Sequence, residues 1–338
     1  MARTWASPWV SPRVVPWAGP RTILLLAALT AGACGNSSNP FDEDTGDDSS
    51  DEVTADSAIS RSEAVDGNGG GYVSGVSYDA GTDTFTVKGL AFDGDGTYSR
   101  LAAPFSSLGG YALYEGAMTY YDDETGAPIS QMNHRAIYGV SGSGKTEFAI
   151  VRSGGYLGYG FGGFIYQRNG AVTLPSSGQA TYTGQYAGLR VFDGTDGIEY
   201  SQGDMTVSID FTDFEDGSAV SGSVSNRQVF DADGNDVTAE IADALVSGAT
   251  ELPVLTFVVE PGVMDDAGEL TGSVSSHYSD GGSVTDFETG SYYAILSDGA
   301  GGSSDPADEI VGIIVMTSED PRNDALTVQE TGGFILYR

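Results

Sequence analysis

The sequence predicts an all-β protein, a handle-like antiparallel sheet followed by an eight-stranded up-and-down β-barrel. Three observations carry that expectation. Apolar residues alternate with polar ones, as where Met205, Val207, Ile209 and Phe211 interleave with Thr206, Ser208 and Asp210, the period of a half-buried strand. The 338 residues include 49 glycines and 18 tyrosines, a composition of short strands and frequent turns rather than helices. The segments break at Asp193-Gly-Thr-Asp-Gly197, Asp231-Ala-Asp-Gly-Asn235 and Asp280-Gly-Gly282, whose residues supply positive φ and local side-chain bonds.

Residues 1–33 read as a signal peptide. Arginines precede the apolar run Ile23-Leu-Leu-Leu-Ala-Ala-Leu29, far short of the roughly twenty residues that span a bilayer. Ala31-Gly-Ala33 then meets Cys34, the single cysteine of the chain. This junction resembles the lipobox of bacterial lipoproteins, which implies lipidation at Cys34, and Gly35 after it points by the same analogy to the outer membrane. A lone cysteine forms no internal disulfide; the other reading is ordinary cleavage that leaves a free thiol. Residues 34–69 follow as the lipidated N-terminus and a disordered acidic tether, because Phe41-Asp-Glu-Asp-Thr-Gly-Asp-Asp-Ser-Ser-Asp-Glu52 offers little apolar surface against the entropy of ordering.

Residues 70–177 form the handle-like region. Tyr72-Val-Ser-Gly-Val-Ser-Tyr78, Asp79-Ala-Gly-Thr-Asp83 and Thr84-Phe-Thr-Val-Lys-Gly-Leu90 read as strand, turn and strand, and the pattern recurs at 111–121, 135–140, 147–152 and 161–167. Only Leu174-Pro-Ser-Ser177 separates this region from the next, so the two are expected to pack together. The barrel, 178–338, reads as strands at 180–192, 204–211, 219–230, 254–263, 269–278, 290–296, 309–317 and 328–338, with no amphipathic helix of useful length between them. Val220-Ser-Gly-Ser-Val-Ser-Asn226 and Leu270-Thr-Gly-Ser-Val-Ser-Ser276 nearly repeat, and Gly184, Gly188, Gly312 and Gly333 also fall mid-strand. Such glycines mark bends or close backbone approach, which a sheet closing on itself needs. A sandwich is the alternative packing.

The formal net charge is -34, and Lys88 and Lys145 are the only lysines. Loss of the leader's Arg3, Arg13 and Arg21 makes the mature chain three units more negative. Such a chain repels phosphate backbones, which excludes nucleic acid as a partner. The acidity serves either solubility or attraction of cations and basic proteins.

Gly139-Val-Ser-Gly-Ser-Gly-Lys-Thr146 matches the P-loop pattern. A nucleotide site needs a helix after that loop, whereas Glu147-Phe-Ala-Ile-Val-Arg152 reads as a strand, so a hairpin tip is expected and no nucleotide. Asp231-Ala-Asp-Gly-Asn235 begins like a calcium loop, but Asp236 and Ala242 stand where glycine and a bidentate glutamate belong; weak surface calcium binding and Asx turns both remain open. His134 and His277 are the only histidines and have no ligand-spaced partners. No Gly-x-Ser-x-Gly elbow is present. The sequence therefore names no catalytic residue, no metal ligand and no cofactor. Tyrosines gather in the handle region, and Gly154-Gly-Tyr-Leu-Gly-Tyr-Gly-Phe-Gly-Gly163 is expected to leave Tyr156, Tyr159 and Phe161 partly exposed for a ligand, since glycines give aromatic rings no bulky neighbours. Tyrosine suits interfaces and also suits sheet packing.

Leu174-Pro-Ser-Ser-Gly-Gln-Ala-Thr-Tyr-Thr-Gly184, Met205-Thr-Val-Ser-Ile-Asp-Phe211, Val220-Ser-Gly-Ser-Val-Ser-Asn226 and Glu330-Thr-Gly-Gly-Phe-Ile-Leu-Tyr-Arg338, taken in this order and spacing, resemble the β-barrel domain of transferrin-binding protein B and related surface lipoproteins. The resemblance covers roughly 174–338, and the upstream region is similar to the companion handle. It implies a handle-plus-barrel lobe tethered to the outer membrane through a lipidated cysteine, of a kind that binds host iron-carrier proteins, haem-carrying proteins or complement regulators. This chain has one lobe rather than two, and no transferrin-contacting residue carries over. The expected function is a lipid-anchored, non-catalytic envelope binding protein with a protein or small-solute ligand; the alternative is a structural outer-membrane lipoprotein without a specific ligand.

Overall fold

The computed structural model describes residues 53–63, 73–90, 93–102, 105–122, 124–155, 158–212, 220–259, 263–299 and 306–338. The handle comprises β1 (Ile59–Ser62), β2 (Gly75–Asp79), β3 (Thr84–Lys88), β4 (Thr97–Arg100), β5 (Ser107–Leu108), β6 (Tyr111–Gly116), β7 (Thr119–Tyr121), β8 (Pro128–Ser130), β9 (His134–Val140), β10 (Thr146–Ser153) and β11 (Gly162–Arg168). Nine of these form one antiparallel sheet in the order β1-β11-β10-β9-β6-β4-β3-β2, with β5 beside β6; β7 and β8 pair as a separate ribbon.

The remaining strands are β12 (Gln179–Phe192), β13 (Ile198–Asp210), β14 (Val220–Phe230), β15 (Leu255–Phe257), β16 (Glu269–Asp280), β17 (Ser283–Ser297), β18 (Glu309–Asp320) and β19 (Asn323–Tyr337). They close as an antiparallel barrel in sequence order, β19 returning to pair with β12. All eight strands expected from the sequence are present, which decides against the sandwich.

Four readings need correction. Ile59–Ser62, inside the stretch read as tether, is an edge strand of the handle: Ile59 pairs with Arg168, and its side chain is buried. Cys34 and the tether up to residue 52 lie outside the described residues. A helix, α1 (Thr238–Leu245), does interrupt the barrel strands. Eight residues are too few to be stable alone, and tertiary contacts hold α1: Ile241 and Ala242 are buried, and the Thr238 hydroxyl accepts the Val229 N–H at 2.8 Å. The strand read at 254–263 shrinks to Leu255–Phe257, because Val258 and Val259 face solvent. β13 starts at Ile198 rather than 204, where burial of successive residues erases the alternation.

That double burial explains the packing. Even-numbered β12 residues such as Tyr182 and Tyr186 join the barrel interior. Odd-numbered Ala187, Leu189 and Val191 point outward and join Ile137, Phe148, Ile150 and Phe164 of the handle in one continuous core. A third cluster, with Phe85, Tyr98, Tyr114 and Tyr138, fills the other face of the handle sheet. Gly332-Gly333 sits where both layers demand space: a Cβ on Gly332 would stand 2.1 Å from the Tyr186 ring, and one on Gly333 would stand 2.2 Å from Phe148 of the handle. The Tyr111 hydroxyl then sews handle to barrel, donating to the Gln185 carbonyl and accepting the Ile335 N–H, both at 2.8 Å. Fully buried Arg168 donates to the carbonyls of Leu296 and Ser57, both at 2.8 Å, and so fixes the N-terminal segment, handle and barrel to one another.

Candidate binding surface

The barrel interior is occupied by its own side chains. The glycines of the two near-repeats, Gly222 and Gly272, leave room for Phe257 and Tyr292, whose rings stack with centroids 3.9 Å apart. Towards the β12–β13, β16–β17 and β18–β19 turns the apolar filling gives way to a buried ionic layer. Arg190 bonds Glu199 at 2.6 Å and lies 3.3 Å from Glu330. Arg227 grips Glu288 through both Nη atoms, at 2.5 and 2.7 Å, and lies 3.6 Å from Glu330. Tyr186, Ser201 and Ser276 donate hydroxyl bonds to these carboxylates at 2.6 to 2.8 Å. Burial opposes the charge on Glu288, yet the Arg227 guanidinium and the Ser276 hydroxyl hold its carboxyl below the usual range. Arg190, Arg227 and Glu330 fall within segments read as strands, whereas Glu199 and Glu288 lie outside them, and only the observed register brings all five into one layer. Side chains fill the barrel interior, as in other small closed barrels.

The glycine-rich loop expected to leave Tyr156, Tyr159 and Phe161 partly exposed also packs closely against the barrel. A Cβ on Gly154 would meet the Gly197 carbonyl at 2.7 Å, one on Gly155 would meet Asp196 at 3.0 Å, and the Gly194 N–H donates to the Gly158 carbonyl at 2.8 Å. The glycines there permit close approach to the β12–β13 turn. Tyr159 is half-buried against the handle–barrel core; burial and then the Asp193 carboxylate raise its pKa, opposed by a hydrogen bond with Thr327. Phe161 is half-buried, its N–H donating to the Ser153 hydroxyl at 2.7 Å. Tyr156 lies outside the described residues. Among the other described handle tyrosines, Tyr98, Tyr114, Tyr138 and Tyr166 are buried.

Among the described residues of the handle, exposed large apolar side chains occur on the β7–β8 ribbon and also at Tyr78 of β2 and Val140 of β9. Tyr121 is 63% exposed, Met118 54% and Ile129 43%. The ribbon closes through Asp122, whose carboxylate accepts the Thr125 N–H and hydroxyl at 2.7 Å. It is rooted at Gly94, which donates to Gln131 at 3.1 Å and lies against the Tyr120 ring. Sequence reasoning read 111–121 as one strand and missed the break at Gly116, after which Met118 and Tyr121 carry no matching polar alternation. The register sets Ile129 opposite Tyr120 on one face of the ribbon and Tyr121 opposite Pro128 on the other, so the ribbon exposes apolar side chains on both faces.

The other motifs resolve locally. Residues 139–146 span the end of β9, the tip at 141–145 and Thr146, which opens β10; the Ser143 and Thr146 hydroxyls donate to Glu309 of the barrel, a structural use of the P-loop-like run. Asp231 accepts the N–H groups of Asp233 and Asn235 at 2.9 and 2.8 Å, an Asx turn. His134 is buried, and burial lowers its pKa; His277 pairs with Asp286 at 2.8 Å. Among the described residues no group of three His, Cys, Asp or Glu side chains is arranged to hold a metal, and no helix is long and apolar enough to cross a membrane.

No protein-family profile and no curated protein matches this chain. Solved structures do resemble it. Intact Ap-TbpB, with its N and C lobes, is similar over 75% of this chain and 42% of its own, at 12% identity and a TM-score of 0.34. A double mutant of the transferrin-binding protein B vaccine antigen from Haemophilus parasuis Hp5 is similar over 78% of this chain and 44% of its own, at 13% identity and a TM-score of 0.34. A crystal structure described as a surface lipoprotein is similar over 56% of this chain and 75% of its own, at 12% identity and a TM-score of 0.26. The chain spans less than half the length of the two transferrin-binding structures, and the likeness is one of fold.

Proposed function

We propose that this chain is a non-catalytic binding protein of the bacterial cell envelope, held to the outer membrane by lipid on Cys34, and that its handle presents the β7–β8 ribbon to a protein partner. The observation that carries the reading is the exposure of Met118, Tyr121 and Ile129 on and beside a two-stranded ribbon, with Ile129 opposite Tyr120 on one face and Tyr121 on the other. Tyrosine and methionine are favoured at interface centres. The lipobox-like Ala31-Gly-Ala-Cys34 supports the anchor.

The test is capture of partners from the organism's growth medium and envelope extract by the native chain and by the triple variant Met118→Ser, Tyr121→Ser, Ile129→Ser. A partner retained by the first and lost by the second supports the reading. Equal retention moves the contact off the ribbon. No partner for a folded chain favours the structural lipoprotein.

A further inference from the structure

We propose that the barrel carries a second binding site, independent of the handle ribbon: a slot beside β14 that takes an extended, Lys- or Arg-bearing segment of a partner protein by strand addition. The ladder between β14 and β15 holds only two residue pairs, Ser223 with Thr256 and Val224 with Leu255. Continued in the same register it would pair Ser225 with Val254, Asn226 with Pro253, Arg227 with Leu252 and Gln228 with Glu251. None of these pairs forms. Asn226 adopts a positive φ of 50°, and the β13–β14 register slips between Gln202 and Asp204. This bulge bends β14 away from the segment leading into β15.

Where the ladder stops, a cleft of about 470 Å³ opens between the two separated runs, lined by Ser225 to Gln228 on β14 and by Glu251, Leu252 and Val254 opposite, with Asp236 and Ala239 at the α1 side. Arg227 links the two runs by donating to the Pro253 carbonyl at 3.3 Å. Four strand residues without a second-side ladder span about 13 Å, which sets a short extended segment as the occupant. A closed barrel ordinarily leaves no such edge. Leu252 and the exposed Val254 offer apolar contact, and Asp236 and Glu251 stand exposed at the rim. Arg227 is the one base in the lining, and its guanidinium is already engaged by Glu288 and Glu330. Charge complementarity therefore selects a cationic segment.

The test uses the full chain in detergent and a displayed library of random octapeptides as the probe. Enriched peptides are then measured against the native chain, Ala239→Trp, which plugs the slot from an exposed helix position, and Ala244→Trp, at the far end of α1, as a control. Peptides rich in Lys or Arg that bind the native chain and Ala244→Trp, and bind Ala239→Trp at least about tenfold more weakly, are expected. The same peptides N-methylated on alternate amides should lose about tenfold, the net worth of one or two backbone hydrogen bonds. If Ala239→Trp lowers the unfolding midpoint, Glu251→Lys replaces it with the same expected loss. An empty selection, binders indifferent to the slot variants, or binders indifferent to N-methylation would overturn the proposal. Dimerisation abolished by Ala239→Trp would assign the slot to a second copy and overturn it too. Failure here leaves the ribbon reading standing, because the ribbon variants touch none of these residues.

Discussion

Arg227→Met removes the cation between Glu288 and Glu330 while keeping most of the buried stem. In the native chain all three side chains are sealed inside the barrel, so the substitution leaves Glu288 held by the Ser276 hydroxyl and the farther field of Arg190. Removing one partner of a buried ion pair costs about 3–5 kcal/mol, because the other charge stays desolvated and unpaired. With a urea m-value of about 3 kcal/mol/M, that loss lowers the unfolding midpoint by roughly 1 M or more at unchanged slope. Arg227→Met combined with Glu288→Leu removes the orphaned charge as well and should recover most of the loss. The pH dependence follows from Glu288, whose folded pKa is depressed. Its stabilisation is present above the unfolded value of about 4.3 and is lost as pH falls through the lower folded value. The native chain should therefore lose stability in that acid window faster than the double variant. A single variant within about 1 kcal/mol of native, or a double variant no better than the single, would refute the coupled layer.

Gly333→Ala places a methyl group 2.2 Å from the Phe148 ring and is expected to cost about 1–3 kcal/mol by overpacking, with partial rescue by Phe148→Leu in the same unfolding assay. Tyr111→Phe deletes the hydroxyl shared by the Gln185 carbonyl and the Ile335 N–H; about 1–3 kcal/mol should be lost, and faster hydrogen exchange at Ile335 is the local readout. Cys34→Ser should move the protein from the membrane to the soluble fraction, and retention on the membrane without that cysteine would end the lipid-anchor reading.

The ribbon and the glycine-rich loop show what sequence reasoning about a surface leaves open. Tyr159 and Phe161, flanked by glycines, have the local chemistry of displayed aromatic residues. A glycine beside a ring can free that ring or admit a neighbouring backbone, and the two cases are identical in one dimension. Here the neighbour is the Asp193–Gly197 turn, from a different part of the barrel. Met118, Tyr121 and Ile129 were visible as apolar residues, yet their exposure depends on the ribbon standing apart from the handle sheet.

By itself the sequence determined the all-β class, the eight barrel strands in order, the turns between them and the hairpin at residues 139–146, because these depend on side-chain alternation and turn chemistry within a few residues. Only the tertiary structure decided the burial of β12 on both faces, the capture of Ile59–Ser62 by the handle, the formation of α1, the gathering of Arg190, Arg227, Glu288 and Glu330 into one layer, and the parting of β14 from β15. Each of these depends on which surface a segment meets once the chain has folded, and a local pattern of alternation and turn residues does not identify that surface.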